Sequence, residues 1–258
     1  MKDRLGELLE SNDVLYTIVC RDPTPTDIEL LAQAGYHIVW LDLEHSVMST
    51  TEALRLGRLI THLGMMPLAR ILELSRTHVQ RLLDGGIQVV ALPDIRSAKQ
   101  ARELVRLGKY RPLGERGASS NSAGTGFTLG SDPAETLRQA NRATHLMTMF
   151  ESDEGFEQLD AIVAVDGIAL FGVGPNDWSI GLGLFGEGAK SYLAPKIEHI
   201  VHTVAKAGKT MVMTPSSPDD ARRYRDLGAR IFQLGVDVTL KRRALFDAIS
   251  PFKDTFGE

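Results

Sequence analysis

The sequence predicts a (β/α)8 TIM barrel preceded by one extra N-terminal helix, and three observations carry that prediction. Eight apolar runs recur along the chain, most of them separated by a helical pattern and joined to it by short connections. The runs are nearly continuous in their apolar character, as in strands of a parallel sheet covered on both faces. The chain has 258 residues, the usual size of one such barrel, and residues 1–258 read as one domain. A doubly wound open sheet is the competing architecture. No Gly-x-Gly-x-x-Gly follows the first run, which argues against a dinucleotide-binding version of it.

Taken in order, the stretch MKDRLGELLESND is a charged amphipathic helix and not a secretion signal. The strand-like runs are Val14–Cys20, His37–Leu43, Met66–Ile71, Val89–Pro93, His145–Phe150, Ile168–Val173, Thr210–Thr214 and Ile231–Val236. Between them, Thr26-Asp27 opens a helix that Gly35 ends. Further helices run from Thr51 to Leu63, Arg76 to Leu83, Ser97 to Leu107, Pro195 to Ala207 and Pro218 to Leu227. The phrase Ala-Gly or Leu-Gly before the next strand recurs at Gly35, Gly108, Gly208 and Gly228, each read as a left-handed helix C-cap. An irregular Gly- and Ser-rich insert, Tyr110 to Asp132, follows the fourth strand's unit and is expected to overlie the active face as a lid or rim.

Composition narrows the class. Net charge is -4, which gives no sign of nucleic-acid or acidic-membrane binding. No apolar stretch reaches about 18 residues, so no membrane span is expected. The single cysteine, Cys20, excludes an intramolecular disulfide, reads as a buried strand residue, and together with the N-terminal pattern points to the cytoplasm.

Chemistry concentrates between His145 and Gly183, which reads strand, helix, strand with a carboxylate after each strand, Glu151 and Asp177. A right-handed crossover brings both carboxylates to the same C-terminal edge of the sheet. Two carboxylates converging there, without Cys or His beside them, suit a hard divalent cation. The bland reading of either one alone is a helix N-cap or a turn residue. In a barrel the other strand ends lie on the same rim, and they add Asp42-Leu43-Glu44-His45-Ser46, Arg70, Asp94, Thr214 and Asp237. Arg70 presents a permanently charged fork of donors to an oxyanion, and the imidazole of His45 can accept and return a proton. Asp42, three residues before His45, is placed to orient its ring. Taken singly, His45 reads as a rim residue and Arg70 as one half of a salt bridge.

These residues carry a resemblance that covers nearly the whole chain. LDLEHS at Leu41–Ser46, PLAR at Pro67–Arg70, LLDGG at Leu82–Gly86, ERG at Glu115–Gly117, FES at Phe150–Ser152 and GPNDWSIGLG at Gly174–Gly183 together resemble the metal-dependent class II pyruvate aldolases, of the 4-hydroxy-2-oxoheptanedioate and 2-keto-3-deoxy sugar acid aldolase type. The resemblance implies a barrel of the phosphoenolpyruvate/pyruvate type in a homo-oligomer, a hexamer or trimer, whose last helix packs on a neighbour. It implies a divalent cation (Mg, Mn or Co) on Glu151 and Asp177, and an enolate-stabilising Arg70. It makes His45 the catalytic histidine, with Asp42 and Asp84 in its support. Backbone amides around Gly174, Pro175, Asn176 and Asp177 would meet the carboxylate of pyruvate. The implied reaction is reversible cleavage of a 4-hydroxy-2-oxo acid to pyruvate or hydroxypyruvate and an aldehyde through a metal-bound enolate.

The chain departs from the family pattern at Leu43, Met149, Asn176 and Trp178. Leu43 and Met149 are expected to narrow the pocket or remove a polar contact, which bears on substrate identity. Two other classes stay open. One is an acyl-CoA ester lyase of the citrate/malyl-CoA type, with Arg111 and Arg116 as basic residues for the CoA. The other is a non-catalytic protein that binds a 2-oxo acid.

Overall fold

Eight parallel strands close on themselves in chain order, β1-β2-β3-β4-β5-β6-β7-β8, with β8 pairing back to β1. The structure is a computed structural model that describes residues 2–127, 130 and 132–256. The strands are β1 Leu15–Cys20, β2 Ile38–Asp42, β3 Met66–Arg70, β4 Val89–Leu92, β5 His145–Phe150, β6 Leu170–Val173, β7 Thr210–Met213 and β8 Ile231–Val236. Each falls within its apolar run. The open-sheet alternative is excluded by the β1–β8 ladder, which leaves no edge.

The helices are α1 Arg4–Ser11, α2 Pro25–Gln33, α3 Thr50–His62, α4 Arg76–Asp84, α5 Ala98–Gly108, α6 Pro133–Ala143, α7 Asp153–Glu157, α8 Leu159–Val163, α9 Pro175–Gly181, α10 Gly186–Lys206, α11 Pro218–Asp226 and α12 Asp237–Phe256. Most begin at a side-chain cap: Thr24 and Asp27 form a reciprocal capping box at α2, and Ser49, Ser75, Ser97 and Ser217 cap α3, α4, α5 and α11.

Side chains alternate across the closed sheet and divide the core in two. Ile38, Trp40, Met66, Leu68, Val89, Ala91, Met147 and Met149 fill the barrel interior. Val39, Leu41, Ala69, Val90, Leu92 and Phe171 face outward to the helices. Leu5 and Leu8 of α1 join the interior cluster, so the extra helix plugs the N-terminal end of the barrel with its apolar stripe.

Four expectations change. The described residues of the insert Tyr110–Asp132 do not overlie the active face. The insert follows α5, which has carried the chain back to the N-terminal end of the strands. There its 3-10 turn Ala123–Thr125 packs on α4, and Gly124 lies against the Leu83 carbonyl. Residues 128, 129 and 131 of that insert lie outside the described residues. Gly35, Gly208 and Gly228 do take left-handed φ values, but Gly108 does not. It is the last residue of α5, and a Cβ there would come within 2.7 Å of Leu146. The helix expected from Pro195 begins nine residues earlier, at Gly186, with Pro195 in its interior. Finally, Leu43 is buried in the outer core and cannot narrow the pocket. With Asp42 pointing inward, the two-residue period turns Leu43 away from the mouth.

Candidate active site at the barrel mouth

The inward-facing positions near the C-terminal ends of β2, β3, β5, β6, β7 and β8 open into one cavity of about 450 Å³. Arg70, His45, Glu151, Gly174, Pro175, Asn176 and Asp177 line it, together with Arg21, Trp40, Met149, Thr214 and Gln233. All of the proposed metal and substrate residues are therefore at one mouth. Asp42 lies directly beneath, as the partner of Arg70.

Register explains that pairing. Asp42 and Arg70 are matched residues of the β2–β3 ladder, both facing inward. Arg70 Nε donates to Asp42 Oδ1 at 2.9 Å and Nη2 to Oδ2 at 2.8 Å, a two-pronged bond. Nη1 lies 3.0 Å from Glu44 Oε2. The Asp42 side chain is fully buried, and it also accepts from the backbone amides of Glu44 and His45 at 3.2 and 3.3 Å. Arg21 Nε reaches its second oxygen at 3.3 Å. Burial alone would raise the Asp42 carboxyl, but the Arg70 hydrogen bond and charge outweigh it and hold the group below the usual carboxylate range. Burial alone would likewise lower Arg70. The Asp42 bond and charge, followed by Glu44 and Glu151, raise it instead.

Asp42 thus orients Arg70 and the turn after β2, not the imidazole ring. Its contact with His45 is through the backbone. The ring's nearest carboxylate is Glu44, 3.6 Å from Nε2. His45 is 43 % exposed at the side chain and stands on the rim. Asp84 is not brought to this cluster. It ends α4 at the opposite end of the barrel, where Arg116 donates to it at 2.7 Å and Gln80 at 3.4 Å.

Glu151 follows β5 and is 8 % exposed. Its Oε2 accepts from the Asp94 amide at 2.8 Å, an amide turned inward by the left-handed Asp94 backbone at φ 43°. Oε1 is buried without a hydrogen-bond partner. Burial pushes Glu151 up to about 7; the Asp94 bond and Arg70 oppose the rise, while Asp177 and Glu44 add to it. Burial raises Glu44 as well.

Gly174 leaves the Glu151 carboxylate in place: a Cβ would stand 2.1 Å from Oε1 and displace it. The chain then enters α9 with Pro175 in its first turn, where the missing N–H costs nothing. Asp177 lies in that first turn and faces the cavity.

This donor set fits a hard divalent cation. It offers an orphaned, buried carboxylate oxygen, a second carboxylate on the same wall, and a backbone without a Cβ between them. Among the described residues no group of three or more His, Cys, Asp or Glu has a metal-holding arrangement, so substrate and water oxygens would have to complete the shell.

Glu44, Arg21, Asp94 and Trp40 were not assigned roles from sequence. Glu44 stood inside LDLEHS and Asp94 at a strand end, so position alone pointed to them. Arg21, just past β1, and Trp40, beneath Arg70 with its ring centroid 6.0 Å from the guanidinium carbon, needed the closed barrel to be seen. Met149 lines the cavity as expected, whereas the Trp178 indole, on α9 itself, is buried with its ring 6.0 Å from that of Phe156. Arg116 is buried on Asp84 with its guanidinium over Tyr110, and Arg111 belongs to the same insert at the far end. Neither basic residue named for a CoA pocket is at the mouth.

Comparison with known proteins identifies the family and the fold. The model of a family described as HpcH/HpaI aldolase/citrate lyase matches residues 22–244. A hydroxypyruvate/pyruvate aldolase of Delftia acidovorans is 30% identical over 96% of this chain and 91% of its own length. A 2-keto-3-deoxy-L-rhamnonate aldolase of Salmonella gallinarum is 30% identical over 87% of this chain and 84% of its own. Among solved structures, an HpcH/HpaI aldolase from Desulfitobacterium hafniense superposes with a TM-score of 0.89 at 27% identity, covering 96% of each chain. No helix among the described residues is long and apolar enough to cross a membrane.

Proposed function

Because the chain belongs to the HpcH/HpaI aldolase/citrate lyase family and is an enzyme of the aldehyde-lyase kind, we propose that it cleaves 4-hydroxy-2-oxo acids reversibly to an aldehyde and pyruvate or hydroxypyruvate, using a divalent cation held by Glu151 and Asp177. The observation that carries this reading is the shared cavity: the orphaned Glu151 carboxylate, Asp177 and Arg70 line one wall-to-wall space at the barrel mouth. When bound, the cation (Mg, Mn or Co) supplies Lewis acidity toward the 2-oxo carbonyl.

The chain's own residues do the rest. Arg70 commits Nε and Nη2 to Asp42 and pairs Nη1 with Glu44 at 3.0 Å, and Nη1 is the nitrogen that exchanges this rim carboxylate for the developing enolate oxygen when substrate enters. Asp42 holds that fork rigid and fully charged. His45 takes the 4-hydroxyl proton as the C3–C4 bond breaks; the bonding pair moves into C2–C3 and the aldehyde leaves. Protonation at C3 then releases pyruvate. The first-turn amides of α9 at Asn176 and Asp177 have no carbonyl four residues back within their helix and are placed for the substrate carboxylate. The Asp42–Arg70 pair, with Asp42 fully buried, the Met149 and Trp40 floor and the α1 plug keep water from the enolate from below.

We also propose that residues 1–258 act as one barrel unit in a homo-oligomer. From its middle onward, α12 leaves Leu245, Phe246, Ile249, Phe252 and Phe256 exposed. A groove of about 490 Å³ on the outer face has an apolar stretch of Tyr16, Pro215, Pro218, Phe232 and Leu234, bordered by Asp13, Arg222 and Arg225. A second copy's α12 supplies the matching surface, as the resemblance implies.

The test is retro-aldol turnover of 4-hydroxy-2-oxo acids with and without chelator. Activity that disappears with chelator, returns with Mn²⁺, and is absent in Glu151→Ala supports the reading. Full activity in the chelated enzyme or in Glu151→Ala refutes it.

A further inference from the structure

We propose that Asp153 is a positioning residue that sets the placement of Asp177 against Glu151, and through it the affinity of the mouth for a divalent cation. This rests on the reading of Glu151 and Asp177 as the cation's ligands.

The two carboxylates arrive on separate pieces of chain, the turn after β5 and the first turn of α9. At strand level these are tied by the Gly174 amide, which donates to the Phe150 carbonyl at 3.1 Å. Beyond the strands, both ligands continue into short helices, of five residues in α7 and seven in α9. Helices that short are not stable in themselves, and two like charges at their ends push apart.

Asp153 joins the two segments. It stands two residues after Glu151, as the first residue of α7. Its Oδ1 accepts from Trp178 Nε1 at 3.1 Å, and Trp178 is the residue directly after Asp177. Lys196 Nζ donates to the same oxygen at 2.8 Å and Tyr192 Oη to Oδ2 at 2.6 Å, which anchors the carboxylate to α10. The Lys196 ammonium also sits 4.7 Å from the Phe156 ring centroid and 4.5 Å from that of Tyr192.

Trp178 is 1 % exposed, so its indole direction is fixed by packing, and the bond to Asp153 selects one orientation of α9. Such a knot transmits to the cation by geometry: when α9 is free to turn, Asp177 swings about a short helix while Glu151 stays on the strand end. Outer-shell partners of metal carboxylates typically account for about 10–100-fold in affinity.

The experiment is Mn²⁺ binding to the full chain without substrate, read as free Mn²⁺ by electron paramagnetic resonance, for wild type, Asp153→Ala, Asp153→Asn and Trp178→Phe. The expected result is a dissociation constant about 10–100-fold weaker in Asp153→Ala. Trp178→Phe keeps the ring and loses the indole N–H, and weakens binding about several-fold. Asp153→Asn, which retains an acceptor for Trp178, falls between wild type and Asp153→Ala. Turnover lost at low Mn²⁺ returns as Mn²⁺ is raised, so the effect falls on the metal's apparent constant and not on kcat.

A role in holding the fold alone would lower the thermal midpoint of the metal-free protein and leave the dissociation constant alone. Folded Asp153→Ala and Trp178→Phe that both bind Mn²⁺ within about twofold of wild type overturn the proposal. Wild type that binds no Mn²⁺ overturns instead the reading on which it rests.

Discussion

Replacing Glu151 by Gln is predicted to stabilise the metal-free protein and abolish its response to metal. The Glu151 carboxyl is raised by burial from 4.5 to about 7. A carboxylate with a raised folded pKa binds its proton more tightly when folded. The folded state then gains nothing below pH 4.5, loses stability progressively as the pH rises to about 7, and carries the full penalty above it. At about 1.4 kcal/mol per pH unit, the burial of that charge costs about 3 kcal/mol at pH 8. Gln keeps the oxygen that accepts from the Asp94 amide and removes the charge. The expected gain in a chelated sample at pH 8 is therefore about 3 kcal/mol, or roughly 6–12 °C in thermal midpoint. The gain should shrink toward zero near pH 4.5. Added Mn²⁺ should raise the midpoint of wild type and not of Glu151→Gln. Differential scanning calorimetry across pH, with and without Mn²⁺, measures both. A variant less stable than wild type at pH 8 in chelator, or a difference that does not change with pH, would refute the reasoning.

Three further outcomes follow from the same structure. Arg70→Ala strands the buried Asp42 charge and should cost about 3–5 kcal/mol by urea denaturation; adding Asp42→Asn should restore part of that loss, and an additive double mutant would contradict the pairing. Gly174→Ala puts a methyl group onto Glu151 Oε1 and should weaken Mn²⁺ binding by about tenfold or more with an unchanged far-ultraviolet spectrum; unaltered affinity would mean that Glu151 does not hold the cation. Phe246→Asp with Ile249→Asp places two charges on the exposed apolar stripe of α12 and should reduce the solution mass by light scattering to that of one chain; an unchanged oligomer would place the interface elsewhere.

Much of the mouth was legible because a parallel barrel buries its strands on both faces. Continuous apolar runs mark the strands, and whatever polar residue ends a run stands on the rim. Arg70, Glu151 and Asp177 are found by that rule. Other features were legible and misread. Strand alternation that turns Asp42 inward sends Leu43 outward, and a residue just before the Gly-Gly that ends a helix, such as Asp84, stands at the far end of the barrel. The insert follows a helix and not a strand, which puts it at that end too. What could not be read was pairing across the sheet. Whether Asp42 serves His45 or Arg70 depends on β2–β3 register and on rotamers, which no local pattern encodes. The Asp153–Trp178–Lys196 knot joins residues up to 43 positions apart through packing of α7, α9 and α10. The exposed apolar face of α12 lies beyond the last strand, where no pattern of runs and rims assigns it a role.

The most direct test of the central claim is exchange of pyruvate methyl protons in heavy water, followed by proton nuclear magnetic resonance. It needs no knowledge of the aldehyde. Exchange should require a divalent cation (Mg²⁺, Mn²⁺ or Co²⁺), disappear with chelator, and fall by about 10²–10³-fold in Arg70→Ala. Exchange that persists in chelator or in Arg70→Ala would contradict an enolate formed at the Glu151–Asp177–Arg70 mouth, as would the absence of exchange of both pyruvate and hydroxypyruvate with every cation.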